Sequence, residues 1–176
     1  RDTYTNAHSL RLANWAVETA VECGCAEDEV ETIRWGALLH DIGKIGIPDH
    51  ILQKPGPLTE EEWEVMEKHP EFGAEIITPI KRLKLVAPII LAHQERFDGT
   101  GYPNRLKGQQ IPLGARILAV VDTYGAIIDD RVYRRGKDEY AAIEEIQKQS
   151  GTQFDPFVVQ AFIKVKARAA AEVQES

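Results

Sequence analysis

The chain has 176 residues, of which 43% are apolar and 28% are charged, and this is the balance of one soluble globular domain with a substantial core. Its net charge of -7 argues against a general binder of nucleic-acid polymers, because such proteins have basic surfaces. No apolar run approaches the roughly 20 residues of a membrane span, so we expect no direct membrane insertion, and no signal peptide is visible.

The predicted elements are all helical, about seven or eight of them, and we see no alternating strand pattern and no internal repeat. Apolar residues at helical spacing predict helices over about 7–23, 26–40, 59–69, 70–77, 88–93, 111–128 and 138–149, and a last helix that begins at Asp155 and Pro156. Thr59 and Glu62 form a capping box at the start of the third helix, which is predicted to turn Trp63 and Met66 inward. The sequence therefore predicts a single all-α domain over residues 1–176.

The two cysteines, Cys23 and Cys25, are too close in sequence to form a disulfide framework. We interpret them as reduced thiols and therefore expect a cytoplasmic protein, with a metal role for the cysteines as the alternative. The chain starts at Arg1 rather than at Met, and we expect it to be a piece of a longer protein.

An adjacent histidine and aspartate, His40 and Asp41, close the second predicted helix among apolar residues. Gly43 and Gly46 follow them and suit a C-terminal turn, so the segment also has a purely structural interpretation. Burying an imidazole beside a carboxylate is costly unless both groups are satisfied, and a metal ion would satisfy both at once.

Three further histidines lie at predicted helix ends. His8 is in the opening turn of the first helix, where a cap or a surface position is the usual role. His69 stands at a helix junction, where it can cap a carbonyl or bind a metal. His93 opens the glycine-rich loop of residues 93–103, for which an ordinary surface turn is the alternative.

Asp122 lies within the long apolar helix over 111–128, where a buried carboxylate is costly unless it is compensated. It is therefore a candidate metal ligand, with an arginine partner or the capping of a neighbouring helix as alternatives. A dense basic stretch follows about two helical turns later and contains Arg131, Arg134, Arg135 and Lys137. A solvated surface run is its usual explanation, and contact with an anionic phosphate is the functional one.

Imidazole and carboxylate ligands together suit iron, manganese, zinc or a similar divalent ion without any thiolate. The candidate ligands are His8, His40, Asp41, His69, His93 and Asp122. Two ions that share Asp41 and hold a bridging hydroxide would supply a nucleophile at neutral pH and neutralise the charge of a phosphate. Lys44, four residues after His40, strengthens this interpretation.

In these motifs the chain resembles, over nearly its whole length, the HD-GYP domains, a branch of the HD superfamily of metal-dependent phosphohydrolases. The matching segments are His40-Asp-Ile-Gly-Lys-Ile, Pro48-Asp49, His69-Pro70, Gly101-Tyr102-Pro103, Ile111-Pro-Leu-Gly-Ala-Arg-Ile, Val121-Asp122 and Gly151-Thr-Gln-Phe-Asp-Pro. The resemblance implies an HD-domain helical bundle with two, sometimes three, metal ions, usually iron or manganese. It also implies cyclic di-GMP as the substrate, opened to linear pGpG and often on to GMP, and a sensor or receiver domain upstream in a bacterial signalling protein.

Carried over by position, the resemblance implies roles for individual residues. One ion would be held by His8, His40, Asp41 and Asp122. The second ion would be held by Asp41, His69 and His93. Lys44 would approach the scissile phosphate, so that Asp41 and Lys44 are the catalytic candidates. Contacts to the substrate phosphates would come from Tyr102, Arg131 and Arg134.

The chain departs from the family's pattern at two positions near the expected site. The family commonly has a second histidine directly after His93, where this chain has Gln94. An amide oxygen is a poorer ligand for iron or manganese than imidazole, so we expect the second ion to bind more weakly or with an extra water. The family also commonly has an acid at the position of Gly125, on the helix face of Asp122, where it could orient the nucleophile.

The leading hypothesis is a metal-dependent cyclic di-GMP phosphodiesterase. The alternative, motivated by Gln94 and Gly125, is a catalytically impaired module that binds cyclic di-GMP, or a partner protein through the Gly-Tyr-Pro loop, without turnover. A third hypothesis is an HD phosphohydrolase that acts on another nucleotide or phosphoester.

Three-metal members have a glutamate where this chain has Tyr4, so we expect no third ion. The sequence leaves the metal, the product and the oligomeric state open, a dimer included.

Overall fold

The computed structural model describes residues 3–129 and 138–174. These residues form the helices α1 (Thr3–Glu22), α2 (Glu27–Leu39), α3 (Asp49–Leu52), α4 (Glu60–Met66), α5 (His69–Ile77), α6 (Ala87–Ala92), α7 (Leu113–Ile128), α8 (Glu139–Lys148) and α9 (Pro156–Gln174). Short 3-10 turns cover Ile42–Gly46, Lys81–Leu83 and Gly108–Gln110. Within the described ranges there is no β-strand, which confirms the predicted all-α fold.

The predicted helices all have counterparts, and the single-turn helix α3 is an addition that is too short to show periodicity. The capping box of α4 is confirmed, because the Glu62 amide donates to Thr59 Oγ1 at 3.3 Å and the Thr59 amide donates to the Glu62 carboxylate at 2.7 Å. The inward position predicted for Trp63 is wrong, since this side chain is exposed. Helix α4 packs against the short α3 and buries no residue fully.

Helix α7 is the centre of the fold and packs against α1, α2, α6, α8 and α9. A helix surrounded in this way is apolar on more than one face, as its sequence predicted. Its Tyr124 ring is completely buried, with its centroid 5.1 Å from that of Trp15 on α1 and 5.0 Å from that of Phe162 on α9. None of the helices in the described ranges has the length and apolar character needed to cross a membrane.

A second, smaller core lies where α5 packs against α6. Its buried members are Ile77, Val86, Ala87 and Ile90. This core fixes the two helices relative to each other. Because α5 begins at His69 and α6 ends just before His93, the packing of these apolar residues also sets the distance between the two imidazoles.

Candidate metal centre

Four segments of the chain bring imidazoles and carboxylates together. His40 caps the C-terminal end of α2, and Asp41 follows it directly. His69 is the first residue of α5, His93 caps the end of α6, and Asp122 lies within α7. The histidines therefore stand at helix ends, where main-chain groups are available to bond with side chains.

The ligand atoms of Asp41, His69 and His93 all lie within 4.8 Å of one another. His40 adjoins this cluster, with its Nε2 3.6 Å from Asp41 Oδ2 and 3.9 Å from Asp122 Oδ1. The other carboxylate oxygen of Asp41 is 3.9 Å from His69 Nε2. Asp41 thus stands between two imidazoles and turns one oxygen toward each.

The three clustered histidines share one hydrogen-bonding pattern. The Nδ1 atoms of His40, His69 and His93 lie 2.8, 2.8 and 2.6 Å from the carbonyl oxygens of Ala37, Met66 and Ile90, respectively. A carbonyl oxygen only accepts, so each Nδ1 carries the proton and each Nε2 keeps its lone pair. An outer hydrogen bond of this kind fixes the tautomer that a metal-binding histidine needs.

The distance between two of these Nε2 atoms shows whether the imidazoles and carboxylates of the cluster fit a metal ion. His69 Nε2 and His93 Nε2 are 3.1 Å apart. Two acceptor nitrogens at this distance repel each other unless a cation lies between them. Nitrogen ligands at about 2.1 Å from one ion, and at right angles to each other, are about 3.0 Å apart. The imidazoles and carboxylates present therefore fit a divalent metal ion.

Burial and neighbouring charges set the protonation states of these histidines and of Asp41. Burial, followed by the proximity of His40, lowers the pKa of His93 to about 3. Burial also lowers the pKa of His69. Burial alone would raise the pKa of Asp41, but His40 and Lys44 beside it together hold that pKa well below its usual range. At neutral pH the cluster therefore offers neutral imidazoles and a carboxylate, which are the forms that bind a metal.

A close approach at Gly43 sets the distance between the His40–Asp41 segment and α5. A Cβ atom at residue 43 would lie 1.9 Å from the carbonyl oxygen of His69 and 2.4 Å from the amide nitrogen of Gly73. A side chain there would force the two segments apart, so only glycine permits this packing. The glycine that suited a helix-terminating turn thus also serves to bring Asp41 to His69.

A cavity of about 290 Å³ opens beside the cluster. It is lined in part by His93, Gln94, Tyr102, Asp122, Thr123 and Gln153. The position predicted for Asp122 within the apolar core is wrong, since its side chain is 37% exposed. The carboxylate lines the cavity instead, which lowers the cost of its partial burial.

Two further predicted residues lie next to the cluster. Lys44 Nζ donates a hydrogen bond to Asp41 Oδ2 at 2.7 Å. The ring of Tyr102, from the Gly-Tyr-Pro loop, has its centroid 6.5 Å from that of His69. Burial, aided by Glu67 and Asp41, raises the pKa of Tyr102 to about 12, so its hydroxyl keeps its proton and can donate.

The remaining predicted residues are not in the cluster. His8 is outside the group of Asp41, His69 and His93, and its Nδ1 lies 2.5 Å from Asp129 Oδ2 at the end of α7. Arg131 and Arg134 lie outside the described residues. The side chain of Tyr4 likewise falls outside the described part of the chain. The roles of these residues stay predictions.

Sequence reasoning missed Glu95, which holds the Gly-Tyr-Pro loop in place. Its side chain is buried, with 3% of the residue exposed. Its two oxygens accept hydrogen bonds from the main-chain amides of Asn104 at 2.7 Å and Leu106 at 3.1 Å. A signal was available, because a loop leaves main-chain amides unpaired and an acid is the natural acceptor for them.

Comparisons with known proteins find related sequences and a related fold. A family model described as "HD domain" matches residues 2–158. A protein of Thermotoga maritima named "Cyclic di-GMP phosphodiesterase" is 44% identical over 170 residues, covering 94% of this chain and 46% of that protein. A Vibrio cholerae protein named "3'3'-cGAMP-specific phosphodiesterase 2" is 39% identical over 166 residues, covering 93% of this chain and 32% of that protein.

Among solved structures, Bd1817, described as an HDG"Y"P protein from Bdellovibrio bacteriovorus, superimposes with a TM-score of 0.71. The match covers 93% of this chain and 52% of that chain at 20% identity, so it supports the fold. The present chain spans half the length, or less, of the curated relatives it matches.

Proposed function

The chain belongs to the HD domain family, in its HD-GYP branch, and from this premise we propose that it is a cytoplasmic, metal-dependent phosphodiesterase that hydrolyses cyclic di-GMP to pGpG, GMP or both. The observation that carries the proposal is the position of Asp41. Its two oxygens lie 3.6 Å from His40 Nε2 and 3.9 Å from His69 Nε2. A carboxylate placed in this way can serve two ions at once.

The proposed ligands divide into two sets that share this carboxylate. The first ion would be held by His8, His40, Asp41 and Asp122, and the second by Asp41, His69 and His93. Iron or manganese suits a set of imidazoles and carboxylates without thiolates. When bound, the ions would make a water nucleophilic at neutral pH and would neutralise charge on the phosphate.

The protein's own groups would bind and orient the scissile phosphate. The Asp41 carboxylate holds Lys44 Nζ at 2.7 Å, which keeps the ammonium group beside the cluster, where it would bind a phosphate oxygen. The Tyr102 hydroxyl would donate a hydrogen bond to another phosphate oxygen. The raised pKa of Tyr102 keeps that hydroxyl protonated throughout the physiological pH range.

The cavity beside the cluster would receive the nucleotide part of the substrate. Gln94, Thr123 and Gln153 supply amide and hydroxyl groups that can bond to a ribose or to the edge of a base. The more similar of the two relatives is named for cyclic di-GMP and the other for 3'3'-cGAMP. Cyclic di-GMP is therefore our first choice of substrate.

A second candidate function is a module that binds the cyclic dinucleotide without hydrolysing it. The observation that favours it is Gln94, which lies on the cavity wall next to His93, where an imidazole would complete the second ion's ligands. In this case the nucleotide would bind in the cavity, but weak occupancy of the second metal position would prevent turnover.

Product analysis separates the two functions. The chain is prepared without oxygen, supplied with Fe(II) or Mn(II), and incubated with cyclic di-GMP or with 3'3'-cGAMP. The proposal expects release of pGpG or GMP from cyclic di-GMP by the wild-type chain and none by Asp41→Ala. Binding of cyclic di-GMP without product would favour the second candidate. Hydrolysis of 3'3'-cGAMP alone would change the assigned substrate but keep the enzyme class.

A further inference from the structure

His8 on α1 is bonded to the end of α7. Its Nδ1 lies 2.5 Å from Oδ2 of Asp129, a residue 121 positions away in the sequence. Both side chains are sheltered, with 23% of the His8 side chain and 8% of the Asp129 side chain exposed. The bond thus joins a predicted metal ligand to a carboxylate that the proposed function does not use.

The position of Asp129 on its own helix is unfavourable. Asp129 is the C-cap residue of α7, and the C-terminal end of a helix dipole repels a negative charge. The second oxygen of Asp129 accepts a hydrogen bond from Arg11 Nη2 at 2.5 Å. Arg11 therefore compensates and anchors the carboxylate, and it leaves Oδ2 directed at His8, one turn earlier on α1.

The His8 ring packs against α7 at Gly125, where there is no side chain. A Cβ atom at residue 125 would lie 3.2 Å from His8 Cε1 and 3.9 Å from His8 Nδ1, so the ring rests against the helix at the glycine. Nδ1 and Nε2 flank Cε1 in an imidazole. Since Nδ1 is bonded to Asp129, Nε2 is the ring nitrogen that a metal ion would bind.

We infer that Asp129 is a positioning residue for His8. By accepting the Nδ1 proton, it holds the imidazole in the tautomer and orientation in which Nε2 can bind the ion shared with His40 and Asp122. The inference rests on the proposed function, in which His8 is a ligand of that ion. The absence of a side chain at Gly125 leaves room for the ring beside α7.

A purely structural bond between α1 and α7 would fix the same tautomer but would leave the Mn(II) affinity unchanged, and the chain contains a control for that case. Asp155 is equally sheltered, with 6% of its side chain exposed, and its Oδ2 accepts from Arg116 Nη1 at 2.5 Å. This pair ties α7 to the start of α9 and involves no histidine. Asp155→Ala therefore removes a comparable ion pair, together with the bond from the Phe157 amide, and changes none of the proposed metal ligands.

The test has two readouts on the whole chain. In the metal-free wild-type protein, long-range ¹H–¹⁵N spectra of the imidazoles should show His8 as the Nδ1–H tautomer, and Asp129→Ala should abolish this preference. In calorimetric titrations with Mn(II), Asp129→Ala should weaken one ion by about 10- to 100-fold. Asp129→Asn retains one acceptor oxygen and should give a smaller loss, while Asp155→Ala should lower only the melting temperature.

The possible failures are distinguishable. Unchanged Mn(II) affinities in Asp129→Ala, or an Nε2–H tautomer of His8 in the wild-type protein, would overturn the inference and leave the proposed function standing. A wild-type chain that binds no Mn(II) would overturn both. If Asp129→Ala does not fold, the wild-type tautomer and the Asp129→Asn titration still decide the question.

Discussion

His69 Nε2 and His93 Nε2 face each other across 3.1 Å, and the Nδ1 atom of each ring is already bonded to a main-chain carbonyl. Two lone pairs so arranged destabilise the metal-free fold, and a cation between them would reverse the effect. Mn(II) at about 100 times its dissociation constant should therefore add about 2.7 kcal/mol to the free energy of unfolding. Thermal melting with and without Mn(II) measures this. Ca(II), which prefers oxygen ligands, should give a smaller shift, and equal shifts would contradict the assignment.

Removing the shared carboxylate should have a larger effect than removing an unshared one. Asp41→Ala should lose both ions, because its two oxygens face the imidazoles of both ligand sets, whereas Asp122→Ala should lose one. The measurement is the molar metal content of each purified variant after loading with Mn(II) and desalting. Wild-type metal content in Asp41→Ala would refute the bridging role.

Gln94→His should strengthen the weaker of the two Mn(II) sites. Gln94 follows His93 at the cavity wall, and imidazole is a better ligand for manganese than an amide oxygen. Calorimetric titration compares the affinities, with Gln94→Ala as the control for simple loss of the amide. If Gln94→His and Gln94→Ala both match the wild type, residue 94 does not take part in metal binding.

The metal-free protein should become less stable as the pH falls below about 6.5. Burial lowers the pKa of His93 from 6.5 to about 3, so between these values the unfolded chain binds a proton that the folded chain does not. The free energy of unfolding then decreases by up to about 1.4 kcal/mol per pH unit on acidification. The lowered pKa of Asp41 acts in the same direction below about 3.8, its value in an unfolded chain.

Urea unfolding of the metal-free protein between pH 7.5 and pH 4 measures this dependence. His93→Gln removes the buried imidazole and should give a flatter profile over the same range. Parallel profiles for the two proteins would show that His93 is not the group responsible.

Glu95→Gln should destabilise the chain by about 1–3 kcal/mol, since an amide offers one acceptor oxygen to two main-chain donors and leaves one of them unpaired. The donors are the amides of Asn104 and Leu106, so the Gly-Tyr-Pro loop should loosen with them. Urea unfolding measures the loss, and amide hydrogen exchange locates it. Glu75→Gln, at an exposed position, is the control, and equal stability of the two variants would contradict the role of Glu95.

The sequence alone predicted the elements of this fold with few errors. Capping residues such as Thr59 and the prolines that open α5 and α6 act within one helical turn, so their effects can be read from neighbouring residues. The errors concern burial. Trp63 and Asp122 are more exposed than predicted, because exposure depends on which helix packs alongside and where a cavity opens.

The sequence by itself also determined which candidate metal ligands the chain offers and in what order. These are His40, Asp41, His69, His93 and Asp122. Only the tertiary structure decided how they meet. The 3.1 Å contact between His69 and His93 depends on the core between α5 and α6. The bond from His8 to Asp129 spans 121 positions. Contacts across such separations follow from the packing of whole helices, and local periodicity carries no information about them.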